Sequence, residues 1–289
     1  MKPLFISIVI PVYNEEAAIR QTINEIRKAF RKSTLKYEIV VVNDGSKDNS
    51  LSIIREIKDL VVVNHLINKG YGASLKAGIH HAKGDLIAIT DADGTYQNEL
   101  IPKMAELAES YEMVVAARTA FQSRYPFSKK VAKVLLNTII FLLTKTQIPD
   151  INSGLRVFRR ETAIKHLHLL PDKFSFTTTI TICYISENRT MKYIDSVYYD
   201  RKGDSKIVPF DFVRFVIKII TTVNYFMPMR IFSPVGISLG ILGGISFILD
   251  LFVFDNITDK TLLLVLVSIS IILMGFLADL VVKRTTPVT

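Results

Sequence analysis

Two apolar stretches, Ile231–Phe254 and Thr261–Val282, constrain this chain more than any other feature. Each exceeds the roughly 20 residues needed to cross a bilayer core of about 30 Å. The connection between them, Asp255-Asn256-Ile257-Thr258-Asp259-Lys260, is a tight acidic turn. Together they predict a transmembrane hairpin over residues 231–284. Basic residues mark the cytoplasmic ends of membrane segments. Arg214, Lys218 and Arg230 precede the hairpin and Lys283-Arg284 follow it, whereas its turn has one lysine beside two aspartates. The expected product is a multi-pass integral membrane protein with both termini cytoplasmic. Asp250 and Asp279 fall near segment ends, within reach of headgroup water, and get no functional role.

The 289 residues leave room for one α/β domain of about 200 residues ahead of that tail. Met1–Pro11 has a short apolar strand followed by Asn14-Glu15-Glu16 and no small-residue cleavage site, so no secretory signal is expected. The lone Cys183 agrees with a reducing compartment. The net charge of +9 does not point to nucleic acid, because the basic residues concentrate towards the membrane-proximal part. Anionic headgroups or a lipid phosphate are the nearer partners there.

Hydrophobic periodicity sets out the first domain. Ile6–Pro11 reads as a strand, Asn14–Arg31 as a helix, Tyr37–Asn43 as a strand, Asp48–Lys58 as a helix and Val61–His65 as a strand. A helix over Tyr71–Ala82, a strand ending at Asp91, a helix over Asn98–Ser110 and a strand over Met113–Ala117 follow. Strands alternating with helices predict βαβ units and a mostly parallel, Rossmann-like sheet. The dinucleotide-binding version is disfavoured, because Gly70-Tyr71-Gly72 lacks a third glycine and follows the third strand. The glycines are read as the start of a helix.

Leu86-Ile87-Ala88-Ile89-Thr90 is continuously apolar up to its threonine, as a strand buried on both faces should be, and it runs into Asp91-Ala92-Asp93-Gly94. Ligands collect beyond the carboxyl ends of strands in open α/β sheets. Two hard oxygen donors one residue apart suit Mg²⁺ or Mn²⁺ with positions left for substrate phosphates; a plain turn explains the tetrapeptide alone equally well. Beyond the apolar Val131–Lys145 come the cationic and hydroxyl-bearing stretches Asp150–Arg160 and Arg201–Lys206, which point to a phosphate-rich site. Lys129-Lys130 and Arg159-Arg160 read as solvated surface. Phe210–Met227 sets Asp211, Arg214, Lys218, Thr222 and Tyr225 in a narrow polar stripe on an apolar helix, as an interfacial helix does. The five histidines form no metal site by spacing and are assigned to surface or core.

Pro11-Val12-Tyr13-Asn14-Glu15, Asn43-Asp44-Gly45-Ser46, Asp91-Ala92-Asp93-Gly94, Ser153-Gly154-Leu155-Arg156 and Arg201–Lys206 occur in this order. In this the chain resembles glycosyltransferase family 2, within it the polyprenyl-phosphate branch of dolichyl-phosphate mannose synthases and bacterial undecaprenyl-phosphate sugar transferases. The resemblance spans about Phe5–Lys206, and the helix and hairpin resemble the tail of multi-span members. It implies a GT-A catalytic domain over 1–207, an amphipathic juxtamembrane helix over 208–230, and the hairpin with spans 231–254 and 261–282. It also implies that Pro11, Tyr13, Glu15, Asp44 and Asp91 line the nucleotide pocket and that Asp91 and Asp93 serve Mg²⁺ or Mn²⁺. Arg118, Ser153, Arg156, Arg201 and Lys206 would surround the acceptor phosphate, with Asp91, Asp93 and Arg156 counted as catalytic. The chain departs from mannose synthases at Thr95, where they carry glutamine, and at Phe174–Thr179, which lacks their acidic residue.

The expected activity is transfer of one sugar from a UDP- or GDP-sugar to undecaprenyl or dolichyl phosphate at the cytoplasmic face. A processive polysaccharide synthase would need a Gln-x-x-Arg-Trp element, and the chain has no tryptophan. A membrane-tethered nucleotide-sugar sensor would have no need of the intact Asp91/Asp93 pair. Sugar, base, prenyl length and oligomeric state stay open.

Overall fold

The computed structural model describes residues 4–118, 127–173, 175–197, 199, 211–254 and 256–285. The elements run β1 (Phe5–Val12), α1 (Ile19–Phe30), β2 (Lys36–Asp44), α2 (Ser50–Glu56), β3 (Val61–His65), α3 (Tyr71–His81), β4 (Leu86–Ile89), α4 (Ile101–Leu107) and β5 (Met113–Ala117). There follow α5 (Phe127–Thr144), β6 (Arg156–Arg159), α6 (Arg160–His166), α7 (Phe176–Ser186), β7 (Met191–Asp195), α8 (Asp211–Phe226), α9 (Met229–Leu249) and α10 (Asp259–Thr285). They divide into two compact units: Met1–Asn137 with Gln147–Phe212, and Thr138–Thr146 with Val213–Thr289.

In the first unit one seven-stranded sheet has the order β3-β2-β1-β4-β6-β5-β7. Strand side chains alternate between faces, and β1 shows the result. Ile6, Ile8 and Ile10 join the layer of Ile19, Ile23 and Ile26 from α1, while Val9 joins that of Leu75 and Ile79 from α3. Burying each such aliphatic side chain contributes about 1.5–3 kcal/mol. β1 to β4 pair in parallel, as expected, and so do β5 and β7. β6 is the exception: it lies antiparallel between β4 and β5, with Ile89 opposite Arg156 and Val115 opposite Arg156 on the other side. The arginines at both ends of Arg156-Val157-Phe158-Arg159 disguise this strand in the sequence, yet Val157 and Phe158 are buried on its two faces. Because β6 runs backwards, its first residue stands at the carboxyl ends of β4 and β5, and the 150–155 segment arrives beside Asp91.

In the second unit α9 and α10 pack as an antiparallel pair, and both are long and apolar enough to cross a membrane. A Cβ at Gly236 would stand 2.5 Å from Ile272 Cγ1, so glycine sets how closely the helices approach. Ser268 Oγ donates to the Gly236 carbonyl at 2.8 Å, and Thr261 Oγ1 to Ser246 Oγ at 2.6 Å. α9 ends in a π-helical turn, Asp250–Phe254. The Asp250 carboxylate is buried there and accepts both the N–H and the hydroxyl of Thr258 at 2.7 Å, which closes the turn. On α8, Ile219, Val223 and Phe226 are buried while Ile217, Ile220 and Tyr225 are exposed beside Lys218.

Candidate active site

The carboxyl ends of β1, β2 and β4 build one edge of the site. After β1, Asn14 takes a positive φ of 56°, and its N–H donates to Ser46 Oγ at 3.1 Å while its Oδ1 accepts the Lys47 N–H at 2.8 Å. The Glu15 N–H donates to Ser50 Oγ at 2.9 Å, and the Glu15 carbonyl accepts from Ala18 and Ile19 to start α1. The loops after β1 and β2 are thereby laced together. Pro11 is half-buried ahead of the buried Val12 that ends β1, and Tyr13 beyond it is 38% exposed.

Asp44, the last residue of β2, is buried. Its Oδ1 meets His65 Nδ1 at 2.7 Å and the Lys69 N–H at 2.9 Å, and its Oδ2 accepts the Gly70 N–H at 2.8 Å. A carboxylate oxygen has two lone pairs, so Oδ1 is filled and Oδ2 keeps one. His65, assigned from sequence to surface or core, is therefore a residue of the site. The register that sets Asp44 opposite His65 places it there, and nothing in its own neighbourhood of sequence announces that.

Gly70-Tyr71 ties Asp44 to the aspartate pair. Gly70 supplies its N–H to Asp44, and the Tyr71 hydroxyl donates to Asp91 Oδ1 at 3.0 Å. Burial, and then the charge of Asp91, push the Tyr71 phenol well above its ordinary pKa, which keeps it a donor. Asp93 Oδ1 accepts both the N–H and the hydroxyl of Thr95, at 3.1 and 2.7 Å. Thr95 thus orients Asp93 at the position where mannose synthases carry glutamine. The Thr95 carbonyl in turn accepts the Tyr199 N–H at 2.9 Å. Gly154 completes this corner: a Cβ there would lie 3.0 Å from Asp91 Oδ2, and its N–H donates to the Tyr96 hydroxyl at 2.7 Å.

The other edge differs from expectation. Arg156 has no exposed surface, and its guanidinium is caged by the carbonyls of Ser153 (2.6 Å), Ile151 (2.6 Å) and Thr177 (3.0 Å) and by Thr181 Oγ1 (2.5 Å). Burial lowers its pKa. Ser153 is equally buried and donates its hydroxyl to the Ala116 carbonyl at 2.5 Å. Neither reaches outward to an acceptor phosphate. The reason is the backward course of β6, which carries Arg156 into the sheet, where backbone carbonyls claim its donors. Arg118 clamps Asp150 through Nε (2.6 Å) and Nη2 (2.9 Å). Arg201 and Lys206 lie outside the described residues.

At the amino end of β7, His166 Nε2 stands 2.8 Å from Glu187 Oε1, with Cys183 in the same group. Arg189 pairs with Glu187 and with Glu112, so the group reads as a structural ion-pair network. His166 has gained a partner 21 positions away that sequence spacing did not reveal.

A family model described as glycosyl transferase family 2 matches residues 7–167, and one described as the GtrB C-terminal hairpin matches residues 227–283. The undecaprenyl-phosphate 4-deoxy-4-formamido-L-arabinose transferase of Shewanella sediminis is 33% identical over 259 residues, covering 85% of this chain and 75% of its own. The chain belongs to glycosyl transferase family 2. The enzyme of the same description from Pseudomonas fluorescens is 31% identical over 258 residues, covering 85% and 73%. Among solved structures, mannosyl-3-phosphoglycerate synthase from Rubrobacter xylanophilus superposes with a TM-score of 0.60 at 19% identity, over 78% of this chain and 74% of its own. Glucosyl-3-phosphoglycerate synthase from Mycobacterium tuberculosis, in complex with Mn²⁺, UDP and phosphoglyceric acid, gives 0.57 at 20% identity over 76% and 78%. The GT-A architecture expected of a family 2 enzyme is present, and the hairpin marks a membrane protein.

Proposed function

We propose that this family 2 enzyme transfers a single sugar from a uridine or guanosine diphosphate sugar to polyprenyl phosphate at the cytoplasmic face of a membrane. The observation that carries the reading is the joining, in one chain, of the Asp91/Asp93 corner to the hairpin matched at residues 227–283. In this reading residues 1–207 are catalytic, 208–230 lie along the interface and 231–284 span the bilayer. The exposed Ile217, Ile220 and Tyr225 of α8 suit the interfacial role. The relatives named above act on undecaprenyl phosphate, which favours that acceptor.

Asp44 reads the nucleobase. With one lone pair left on Oδ2, it can accept one N–H from the base, the N3–H of uracil or the N1–H of guanine. Asp91 and Asp93 fit a divalent cation as a pair of hard carboxylate donors, one braced by Tyr71 and the other by Thr95. The two carboxylates would hold Mg²⁺ or Mn²⁺, which would supply charge neutralisation for the departing nucleoside diphosphate. Tyr71 and Thr95 fix the two carboxylates before substrate arrives, so little reorganisation is left for the reaction. The acceptor phosphate has a second pKa near 6 and is already mostly a nucleophilic dianion at neutral pH, so this transfer requires no general base. Arg201 and Lys206 are assigned to that phosphate. Tyr199, two positions before Arg201, is anchored on the Thr95 carbonyl beside the aspartate pair.

The decisive assay incubates the purified full chain with radiolabelled UDP- and GDP-sugars plus undecaprenyl or dolichyl phosphate and identifies the labelled lipid. Label reaching only water or free oligosaccharide would overturn the reading. Its topology is checked separately: a tag at Asn256 should label from outside intact cells, and a reporter after Thr289 should not.

A further inference from the structure

The 150–156 segment offers four polar side chains to the site, and three are spent inside the protein. Asp150 is held by Arg118 and also accepts the Asn152 N–H at 3.2 Å. Ser153 is spent on Ala116, and Arg156 on its cage. Asn152 is the exposed member. The buried Thr178 hydroxyl, in the first turn of α7, donates to Asn152 Oδ1 at 2.9 Å. That bond turns the amide oxygen inward and the NH₂ outward, and among the described residues the NH₂ has no partner. Asn152 stands two positions before Gly154, whose missing side chain leaves room for the Asp91 carboxylate.

From this placement we infer that Asn152 is the residue through which this segment recognises the donor sugar, its amide N–H groups donating to sugar hydroxyl oxygens. The inference rests on the proposed function for its ligand class. A sugar joined to a diphosphate at the aspartate pair would present hydroxyls towards this loop, which meets Asp91 at Gly154. A neutral amide adds no charge attraction for phosphate, but its two donors are fixed in a plane by Thr178. Such a group discriminates by direction, accepting one hydroxyl configuration and leaving another unpaired.

The test uses the full chain in lipid nanodiscs, as wild type, Asn152→Ala and Thr178→Val, with UDP- and GDP-linked hexoses that differ at one hydroxyl. Asn152→Ala should narrow the spread of kcat/KM across these donors by about tenfold, as loss of one neutral hydrogen bond implies. The KM for polyprenyl phosphate and the Kd for the free nucleoside diphosphate should stay unchanged. Thr178→Val should act in the same direction, more weakly. A uniform fall across all donors, or a raised lipid KM, would place the amide on a phosphate and overturn the inference. An unchanged spread would overturn it as well. If the wild type transfers no sugar to polyprenyl phosphate, the proposed function fails by itself. Asn152 is then still tested by calorimetry, through the ratio of sugar-nucleotide Kd to free-nucleotide Kd in wild type and variant.

Discussion

The two edges of the site use polar residues in opposite ways. On the edge formed by β1, β2 and β4, with His65 from β3, polar groups bond from loop to loop and leave capacity unspent: Asp44 holds His65, Lys69 and Gly70 and still has a lone pair to offer. On the edge formed by β5 and β6, Arg156, Ser153 and the Arg118–Asp150 pair turn inward. Three carbonyls, a hydroxyl and a carboxylate absorb the cationic charge that the motif displays in sequence. A basic motif can therefore serve the protein's own frame, its donors spent on backbone carbonyls and a buried carboxylate.

The strongest way to sharpen this contrast is Asp93→Asn. It weakens the hard donor pair but keeps the side-chain shape, so kcat/KM should fall by at least about a hundredfold while the circular dichroism spectrum and melting temperature hold. Retention of wild-type turnover in Mg²⁺ or Mn²⁺ would remove Asp93 from the site.

Arg156→Ala comes next, and it should act on folding. Deleting the guanidinium leaves the buried carbonyls of Ile151 and Ser153 without their donor, at about 1–3 kcal/mol for each group left unpaired, while the Thr177 carbonyl keeps the Thr181 hydroxyl. Thermal melts should shift down by many degrees, and whatever folded fraction remains should keep a normal lipid KM. A stable variant with a raised lipid KM would break the contrast.

His65→Ala tests the opposite edge more gently. Losing the bond that orients Asp44 costs on the order of 1 kcal/mol, so the Kd for UDP or GDP should rise about fivefold with lipid dependence unchanged. Equal loss of lipid and nucleotide affinity would show that the two edges are not separate in function.

The smallest effect is pH-dependent. Burial by itself would raise the Asp150 carboxyl, but the Arg118 fork outweighs it and holds Asp150 below its ordinary pKa. A depressed folded pKa gives stability that is present above the unfolded value of about 3.9 and is lost as pH falls through the folded one. Arg118→Gln should therefore melt below wild type at pH 7, and the gap should close as pH drops below about 4. A gap constant from pH 7 to 3 would mean that the pair contributes through packing alone.

How legible each part was in the sequence follows from where its determinants lie. β1 to β5 were readable because Ile and Val runs bounded by turn residues encode buried strands locally, and the hairpin because its apolar length exceeds a bilayer's. β6, α6, α7 and β7 carry no such local signal. Phe176–Ser186 is buried all round, with four threonines diluting its periodicity. Arg156-Val157-Phe158-Arg159 imitates a surface segment because the groups that satisfy Arg156, the Ser153 and Ile151 carbonyls just upstream and the Thr177 carbonyl 21 positions on, leave no mark on the local pattern. The aspartates were found since strand end and ligand coincide in one short stretch. His65, Tyr71 and Asn152 were not, since each takes its role from a partner 20 to 26 positions away.

The backward insertion of β6 also decides when the site comes into being during synthesis. Once β4 has left the ribosome, Asp91 and Asp93 are already on the chain, but Gly154, which meets the Tyr96 hydroxyl 58 positions earlier, is still to come. Closing so long a loop is slow compared with forming a neighbouring helix. The sheet cannot be finished outward from β4, because the later β5 pairs with β6 and β7 and not with β4. In the nascent chain the acidic pair thus waits for β6, and the step that completes the sheet also brings Gly154 against Asp91 and Tyr96.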